Sequence, residues 1–373
     1  MPDNEHVISD QPIFSVEEVE KNNERRKKLV DLIKSEEAIL MAGAGSSGGI
    51  YPAWGKFVEL LKQKAKEKDN DFDVDSNDFL HFADQVKICL GEDHYYAVIA
   101  ETFRPKEQTH EQFHEILCRL PFRGFTTTNY DLVLESALNK IAPFPDYPLV
   151  FDGIAKNLIN RFLLSLNNKN SSPKKVAHLH GKYDVKGSIV LSESEYSRKY
   201  GFSIIQQDES LYSKIKDGGI EKEEFEALFR SYGYDWPIGR KLIWSLLATR
   251  RLVFIGFSMS DPYFLKMFEQ VRDDIAAYDS ETHFLILRIT KSNSHSTKEY
   301  ALNLQRNYGI QTVFYEEEDG KYTGLADFII ALENEVNQTQ VASNREIVEI
   351  AELPDEGDEN LTNNLMNLSK TQD

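Results

Sequence analysis

Short apolar runs recur along the chain, and the stretches between them repeat their apolar residues with the period of an α-helix. Each run ends in glycine or polar residues and is too short for a buried helix, so it predicts a buried strand. The predicted strands cover residues 38–42, 122–127, 175–179, 188–191, 252–255, 283–289 and 310–315. Because strands alternate with helices, we predict an α/β fold whose parallel sheet is covered by helices on both faces.

The helical pattern divides the chain into three predicted parts. The first helix begins at Ser15, which has capping-box spacing to Glu18. The other predicted helices cover residues 57–61, 132–138, 238–249 and 325–335, and the segment 79–113 is predicted to be mostly helical. We expect a helical extension over residues 1–36, a main domain over 37–335 and a tail over 336–373. Helical insertions near residues 55–120 and 196–236 are expected to form a smaller lid subdomain.

Negative charge is concentrated near the end of the chain. Residues 333–373 hold ten acidic and two basic side chains, and so carry −8 of the net charge of −18. Such a composition is typical of a solvated, partly disordered segment or one that binds a partner. An acidic surface also disfavours direct nucleic-acid binding, because contact with phosphates needs lysine and arginine.

Composition excludes several other classes of protein. With 373 residues, 41% of them hydrophobic, the chain can bury a full core. Cys89 and Cys118 are its two cysteines, which rules out a disulfide scaffold and a four-cysteine zinc site. No signal peptide is visible in Met1 to Pro12, and no apolar run reaches the ~20 residues of a membrane span. We therefore expect a cytoplasmic protein that contacts no membrane.

A glycine-rich segment follows the first predicted strand. It reads Gly43-x-Gly45-x-x-Gly48 and precedes a predicted helix, the context that a dinucleotide fingerprint needs. Glycines allow the backbone to approach a pyrophosphate, which free N–H groups then face. An acidic residue for the ribose is missing about 20 residues further on, so this is not a dehydrogenase pattern. Taken alone, the segment is equally explained as a tight exit from a strand.

Polar residues also follow three other predicted strands. Asn129 and Asp131 come after residues 122–127, His180 comes after 175–179, and Gly256-x-Ser258 comes after 252–255. Ligands of open α/β sheets bind at the carboxyl ends of strands, where all these residues are expected. Each has a simpler interpretation, because Asn129 or Asp131 can cap the next helix and a single histidine is often structural.

Taken together and in this order, the four motifs resemble those of the sirtuin family, and more closely those of its bacterial branch linked to phage defence. Two further segments are similar to that branch: Pro52-Ala53-Trp54, and the run G-F-S-M-S-D-P at 256–262. The resemblance covers about residues 37–330 and implies a Rossmann-like domain that binds NAD+. It also implies a role for each matching residue.

The implied roles divide into binding and catalysis. Asn129 would orient the attacking oxygen or the ribose, and His180 would be the general base. Asp131 would contact the nicotinamide carboxamide. The implied diphosphate and adenosine contacts are Gly43, Ala44, Gly45, Ser47, Gly256 and Ser258.

The chain departs from deacylating sirtuins in two respects. Both cysteines precede His180, so the zinc ribbon that deacylases carry after this histidine is expected to be missing. The aspartate and arginine of their P-D-F-R motif are replaced by Ala53 and Gly55. These differences disfavour protein deacylation and leave cleavage of the nicotinamide–ribose bond.

The resemblance therefore predicts an NAD+ hydrolase that depletes NAD+ during phage infection and so stops the growth of its host. It further implies a homo-oligomer, no zinc, and a HerA-type DNA-translocating ATPase as partner. Two alternatives stay open: a non-catalytic module that senses NAD+ or ADP-ribose, and a zinc-independent deacylase.

Overall fold

The computed structural model of the chain describes residues 12–142, 149–150, 156–167, 174–201, 237–259, 261–275, 283–318 and 323–351. Seven strands form one sheet in which every described pairing is parallel. They are β1 (Ala38–Ala42), β2 (Gly124–Thr127), β3 (Leu149–Val150), β4 (Val176–His178), β5 (Arg251–Ile255), β6 (His283–Ile289) and β7 (Ile310–Glu316). The strand order is β3-β4-β2-β1-β5-β6-β7. The predicted parallel sheet is confirmed.

Twelve helices are described. They are α1 (Val16–Lys34), α2 (Trp54–Lys68), α3 (Phe79–Leu90), α4 (Glu92–Phe103), α5 (Gln112–Arg119), α6 (Val133–Ile141), α7 (Lys156–Ser165), α8 (Glu193–Tyr200), α9 (Ile238–Thr249), α10 (Pro262–Asp274), α11 (Ser294–Tyr308) and α12 (Gly324–Ala351). The predicted capping box of α1 is confirmed, because the Glu18 N–H donates to Ser15 Oγ and the Ser15 N–H donates to Glu18 Oε2.

Helices cover both faces of the sheet, as expected for a Rossmann-like α/β fold. Successive side chains of a strand point to opposite faces. In β1, Leu40 packs into a core with α1, α5, α6 and α12, whereas Ile39 and Met41 pack into a core with α7, α9 and α10. Every residue of β1 is buried for this reason. The apolar run that predicted the strand therefore reflects burial on both faces.

A third core lies where the chain leaves β1 and β2. It joins α2, α3 and α4 through aromatic side chains, and its contacts include Phe57 with Phe103 and Phe103 with Tyr130. Tyr51 and Tyr130, which follow β1 and β2 respectively, are buried in it. Within the predicted insertion near 55–120, helices α2 to α4 are thus anchored at the carboxyl ends of the central strands, and the lid subdomain itself stays a prediction.

Two element predictions are wrong. Residues 188–191 form no strand, because the chain makes a 3₁₀ turn at Lys186–Ser188 and its next residues bury their side chains in helical cores. The Val190 N–H donates to the His180 carbonyl at 3.0 Å, but these residues pair with no described strand. The last helix, predicted to end at residue 335, continues to Ala351. The predicted tail is therefore helical over its first part, and residues 352–373 lie outside the described residues, as do 202–236 of the second insertion.

No helix of the described ranges has the length and apolar character needed to cross a membrane.

Candidate functional site

The sequence motifs meet at the carboxyl edge of the sheet. β1 lies between β2 and β5, so the chain passes to one side of β1 for β2 to β4 and to the other side for β5 to β7. Such a reversal of strand order opens a crevice at the carboxyl ends of the two central strands, where ligands of open α/β sheets bind. The loops after β1, β2, β4 and β5 carry all the predicted site residues.

The loops after β1 and β5 are in direct backbone contact. The Gly43 N–H donates to the Ile255 carbonyl at 2.9 Å, and the Gly45 N–H donates to the Gly256 carbonyl at 2.8 Å. A Cβ at Gly43 would lie 2.6 Å from the Gly256 oxygen. Close approach of two backbones therefore explains the glycines here, and these two N–H groups are bonded within the protein. Their predicted contact with a diphosphate stays a prediction.

The glycine loop continues into a 3₁₀ helix at Ala44–Ser47 rather than directly into an α-helix. Ala44 and Gly45 are exposed, and Ser46 and Ser47 are buried. A buried histidine supports this turn: His114 Nδ1 accepts the Glu111 N–H, and its Nε2 lies 2.7 Å from the Ser46 carbonyl. Burial lowers the pKa of His114 to about 4, so its ring is neutral and Nε2–H donates. No sequence signal indicated this support.

Asn129 is fixed by the glycine loop. Its Nδ2 donates to the Gly43 carbonyl at 3.2 Å and to Ser47 Oγ at 3.1 Å, and its backbone N–H donates to Thr127 Oγ1 at 3.0 Å. Within the described residues no donor contacts Asn129 Oδ1. The Asn129 side chain does not cap α6, whose N-cap residue is Leu132. The amide oxygen of Asn129 is therefore oriented and available.

Asp131 lies beside Ser47 and is almost fully buried. Its Oδ1 accepts the Val133 N–H at 3.0 Å at the start of α6. Burial, with a smaller contribution from Glu135, raises the pKa of Asp131 to about 6, although the Val133 N–H and Ser47 hydroxyl act in the opposite direction. Ser47 thus connects Asn129 to a carboxylate that ionises close to neutral pH.

The raised pKa of Asp131 has a consequence for stability. Between about pH 4 and 6 the folded protein holds a proton that the unfolded chain releases. The contribution of Asp131 to the free energy of unfolding therefore falls as the pH rises through that window. We expect Asp131→Asn to raise the free energy of unfolding at pH 8 by about 1–3 kcal/mol, because asparagine still accepts the Val133 N–H and carries no buried charge. The gain should shrink near pH 4.

Urea unfolding at pH 8 and pH 4.5 measures this difference. Asp31→Asn is a matched control, because Asp31 is exposed on α1 and the substitution should change little at either pH. A destabilised Asp131→Asn protein at pH 8 would contradict the assignment of a costly buried charge.

His180 lies in an aromatic setting after β4. Its ring is 5.3 Å from that of Tyr196 and 5.9 Å from that of Tyr200, and its Nε2 is 3.9 Å from Asp261 Oδ2. Burial lowers the pKa of His180 to about 4 although Asp261 opposes the shift. The ring is therefore neutral at pH 7 and accepts a hydrogen bond. This pKa is well below the near-neutral value at which a histidine serves best as a general base.

Asp261 lies in the G-F-S-M-S-D-P run at 256–262, and no role was predicted for it from the sequence. Its Oδ2 accepts the Tyr196 hydroxyl at 2.7 Å, and its Oδ1 accepts the N–H groups of Tyr263 and Phe264 at the start of α10. Asp261 thus connects the start of α10 to Tyr196, whose ring lies beside His180. An aspartate directly before a proline that opens a helix is a sequence signal for such a cap.

The loop after β5 makes a sharp turn next to the glycine loop. Gly256 has φ +60°, and a Cβ there would lie 2.1 Å from the Ser46 nitrogen. Ser258 is exposed, and its carbonyl accepts the Tyr300 hydroxyl at 2.9 Å. The structure thus places Ser258 on the crevice loop, and its predicted contact with adenosine or phosphate stays a prediction.

Within the described residues, neither cysteine is part of a cluster of metal-ligating side chains. Cys89 is partly buried and Cys118 is buried, and both are free thiols. Burial raises the pKa of Cys118 to about 12. Among the described residues no group of three or more metal-ligating side chains is found. The expected lack of a zinc ribbon stays a prediction.

A parallel sheet with a glycine loop after β1, an Asn-x-Asp pair after β2 and a His-Gly pair after β4 defines a class of protein, the SIR2-like domain. Residues 123–313, just over half of the chain, match the model of this family. The chain belongs to the SIR2-like domain family. The glycine loop at 43–48 lies before the matched range, so its relation to the site rests on the contacts described above.

Curated relatives specify the likeness further. Over 270 residues the chain is 22% identical to "NAD(+) hydrolase ThsA" of Cytobacillus dafuensis. The aligned region covers 72% of this chain and 45% of the relative. It is 23% identical over 268 residues to the protein of the same name from Bacillus cereus (strain MSX-D12), covering 70% and 45%. The corresponding protein of Enterococcus faecium is 24% identical over 286 residues, covering 76% and 50%. The chain spans about half the length of these relatives.

Proposed function

We propose that this chain is an NAD+ hydrolase that cleaves the nicotinamide–ribose bond and releases nicotinamide and ADP-ribose. The observation that carries the proposal is Asn129, whose side chain is fixed by Gly43 and Ser47 while its Oδ1 faces no described donor. An oriented acceptor at the carboxyl edge of the sheet is what a water nucleophile needs. The names of the three relatives support the same reaction.

The reaction requires little acid catalysis. Nicotinamide leaves as a neutral molecule when the C–N bond to the ribose breaks, and positive charge develops on the ribose as in glycoside cleavage. Water forms the new C–O bond and loses one proton. Asn129 Oδ1 orients this water. The neutral ring of His180 accepts a hydrogen bond from water or a ribose hydroxyl, and its low pKa means that the proton passes on to solvent.

Substrate binding is assigned to the loops after β1, β2 and β5. Gly43, Ala44, Gly45 and Ser47 would line the diphosphate, and Gly256 and Ser258 the adenosine side. Asp131 is largely ionised above its pKa of about 6, so its carboxylate accepts hydrogen bonds from the nicotinamide carboxamide at pH 7.5. The bond between the Asp131 carboxylate and the carboxamide N–H would favour NAD+ over an analogue that carries nicotinic acid in place of nicotinamide.

The biological role that we propose rests on the family resemblance. In it the chain depletes NAD+ as an effector of abortive infection in the bacterial cytoplasm. A hydrolase of this kind needs to be held inactive, and assembly into a homo-oligomer is one way to gate it. A HerA-type DNA-translocating ATPase is the proposed partner.

Incubation of the purified protein with NAD+ tests the proposal. Fractions separated by size are assayed for nicotinamide and ADP-ribose, with and without the candidate ATPase. We expect equal amounts of both products in at least one oligomeric fraction. NAD+ binding without nicotinamide release in every fraction would favour the sensor module, and nicotinamide release only in step with turnover of an acyl-peptide would favour the deacylase.

A further inference from the structure

A second histidine lies behind the proposed site. His178 ends β4 two residues before His180, and none of its surface is exposed. Its Nδ1 lies 3.1 Å from the backbone carbonyl of Asn129, and its Nε2 lies 2.5 Å from Glu135 Oε1 on α6. The side chain thus bridges the loop after β2 and the following helix.

Both ring nitrogens of His178 face oxygen atoms that only accept hydrogen bonds. A neutral imidazole carries one N–H and satisfies one of them, whereas the imidazolium satisfies both. Burial disfavours the charged ring, but Glu135, the Asn129 carbonyl and Asp131 raise the pKa of His178 above its usual value. Among the described elements, Glu135 on α6 and Asp131 after β2 are the charged groups that face it.

The pair is not arranged for maximal stability. Glu135 Oε2 is buried and forms no hydrogen bond within the described part of the chain. Buried ion pairs often contribute little to stability because desolvation offsets their attraction, and a buried acceptor without a donor adds a cost. What the pair does provide is a fixed donor for the Asn129 carbonyl.

We propose that His178, oriented by Glu135, is a positioning residue that fixes the backbone of Asn129 and thereby aims its side-chain oxygen at the attacking water. This inference rests on the proposed hydrolase function. Asn129 is then held at three points: its carbonyl by His178, its N–H by Thr127 Oγ1, and its side chain by Gly43 and Ser47. Removing His178 leaves the carbonyl without its buried donor, so the loop is free to shift.

The first test compares two substitutions. His178→Phe keeps the ring and removes both donors, and we expect kcat for nicotinamide release to fall about 10²-fold with KM for NAD+ nearly unchanged. Glu135→Gln keeps a partner for Nε2, and a neutral ring with its proton on Nδ1 still donates to Asn129. This conservative variant should therefore retain kcat within about threefold at pH 7.

The pH profile separates positioning from a structural role. When the wild-type ring loses its charge, the remaining proton favours the Glu135 carboxylate, because charge-assisted bonds are stronger, and Asn129 loses its donor. Wild-type kcat should fall at high pH, above the raised pKa of His178. In Glu135→Gln no carboxylate competes for the proton, so this fall should disappear.

His283→Phe is the matched control. His283 is also a buried histidine, but it begins β6 and so lies at the amino-terminal ends of the strands, away from the proposed site. Its Nδ1 accepts the Leu252 N–H. This variant should lose stability and keep wild-type kcat per folded molecule. Wild-type kcat in His178→Phe, a rise in KM alone, or equal loss in His178→Phe and Glu135→Gln would overturn the inference.

Hydrogen–deuterium exchange tests the positioning without relying on catalysis. We expect faster exchange of the peptide that contains residues 128–131 in His178→Phe, and unchanged exchange there in His283→Phe. If the wild-type protein releases no nicotinamide, the proposed function fails, and the exchange experiment still decides the positioning. Unchanged protection of residues 128–131 in His178→Phe would refute it.

Discussion

Replacing His180 with alanine is expected to lower kcat for NAD+ hydrolysis by about 10²–10⁴-fold, the range that one positioned base contributes. The neutral ring lies against Tyr196 and near Asp261, so its loss removes an acceptor and opens a small apolar space. NAD+ should still bind, because the proposed diphosphate contacts come from other loops. Asn129→Ala should have a comparable effect, since it removes the oxygen that is proposed to orient water.

Nicotinamide release and calorimetric binding of NAD+ together measure both parts of this prediction. His295→Ala is a control that also removes a histidine, at an exposed position of α11. It should keep wild-type turnover. A His180→Ala protein with wild-type kcat would remove the basis for assigning His180 to the reaction.

Gly256→Ala is expected to have the largest effect on the architecture of the site. The residue has φ +60°, where an L-residue costs roughly 1–2 kcal/mol. The added Cβ would also lie 2.1 Å from the Ser46 nitrogen, and backbone on both sides has to move apart. With overpacking costs of about 1–3 kcal/mol, a total of about 3 kcal/mol is expected. Separating the loops after β1 and β5 should abolish NAD+ binding.

Urea unfolding and NAD+ binding are measured for this variant at about 15 °C, close to the temperature at which globular proteins are usually most stable. Gly187→Ala is the matched control, because nothing lies within 4 Å of its added Cβ. It should change stability by no more than about 0.5 kcal/mol. Unchanged stability and binding in Gly256→Ala would contradict the described approach of the two loops.

Much of the fold was predictable because strand burial is encoded locally. A central parallel strand such as β1 is apolar at every position, and glycine or polar residues mark where it leaves the sheet. The same pattern was misleading at 188–191, where the apolar side chains are buried in two different cores but the backbone pairs with no described strand. It also missed β3, which has two residues, and α11, whose apolar face is weak.

The candidate site was predictable in its residue types and not in its electrostatics. Spacing placed Asn129, Asp131 and His180 at the carboxyl edge, but a pKa depends on burial and on neighbours distant in sequence. The pKa of His180 is lowered to about 4 and that of Asp131 is raised to about 6 by packing. Likewise, the bond from His178 to the Asn129 carbonyl joins residues 49 positions apart.

The site is proposed to direct water to the ribose carbon of NAD+. Hydrolysis in water enriched in ¹⁸O, followed by mass spectrometry of the products, tests it most directly. We predict one ¹⁸O atom in each ADP-ribose, none in nicotinamide, and equal amounts of the two products. Asn129→Ala should form neither product at a comparable rate. Nicotinamide release accompanied by unlabelled or cyclic ADP-ribose, or by ADP-ribose attached to another acceptor, would contradict the account.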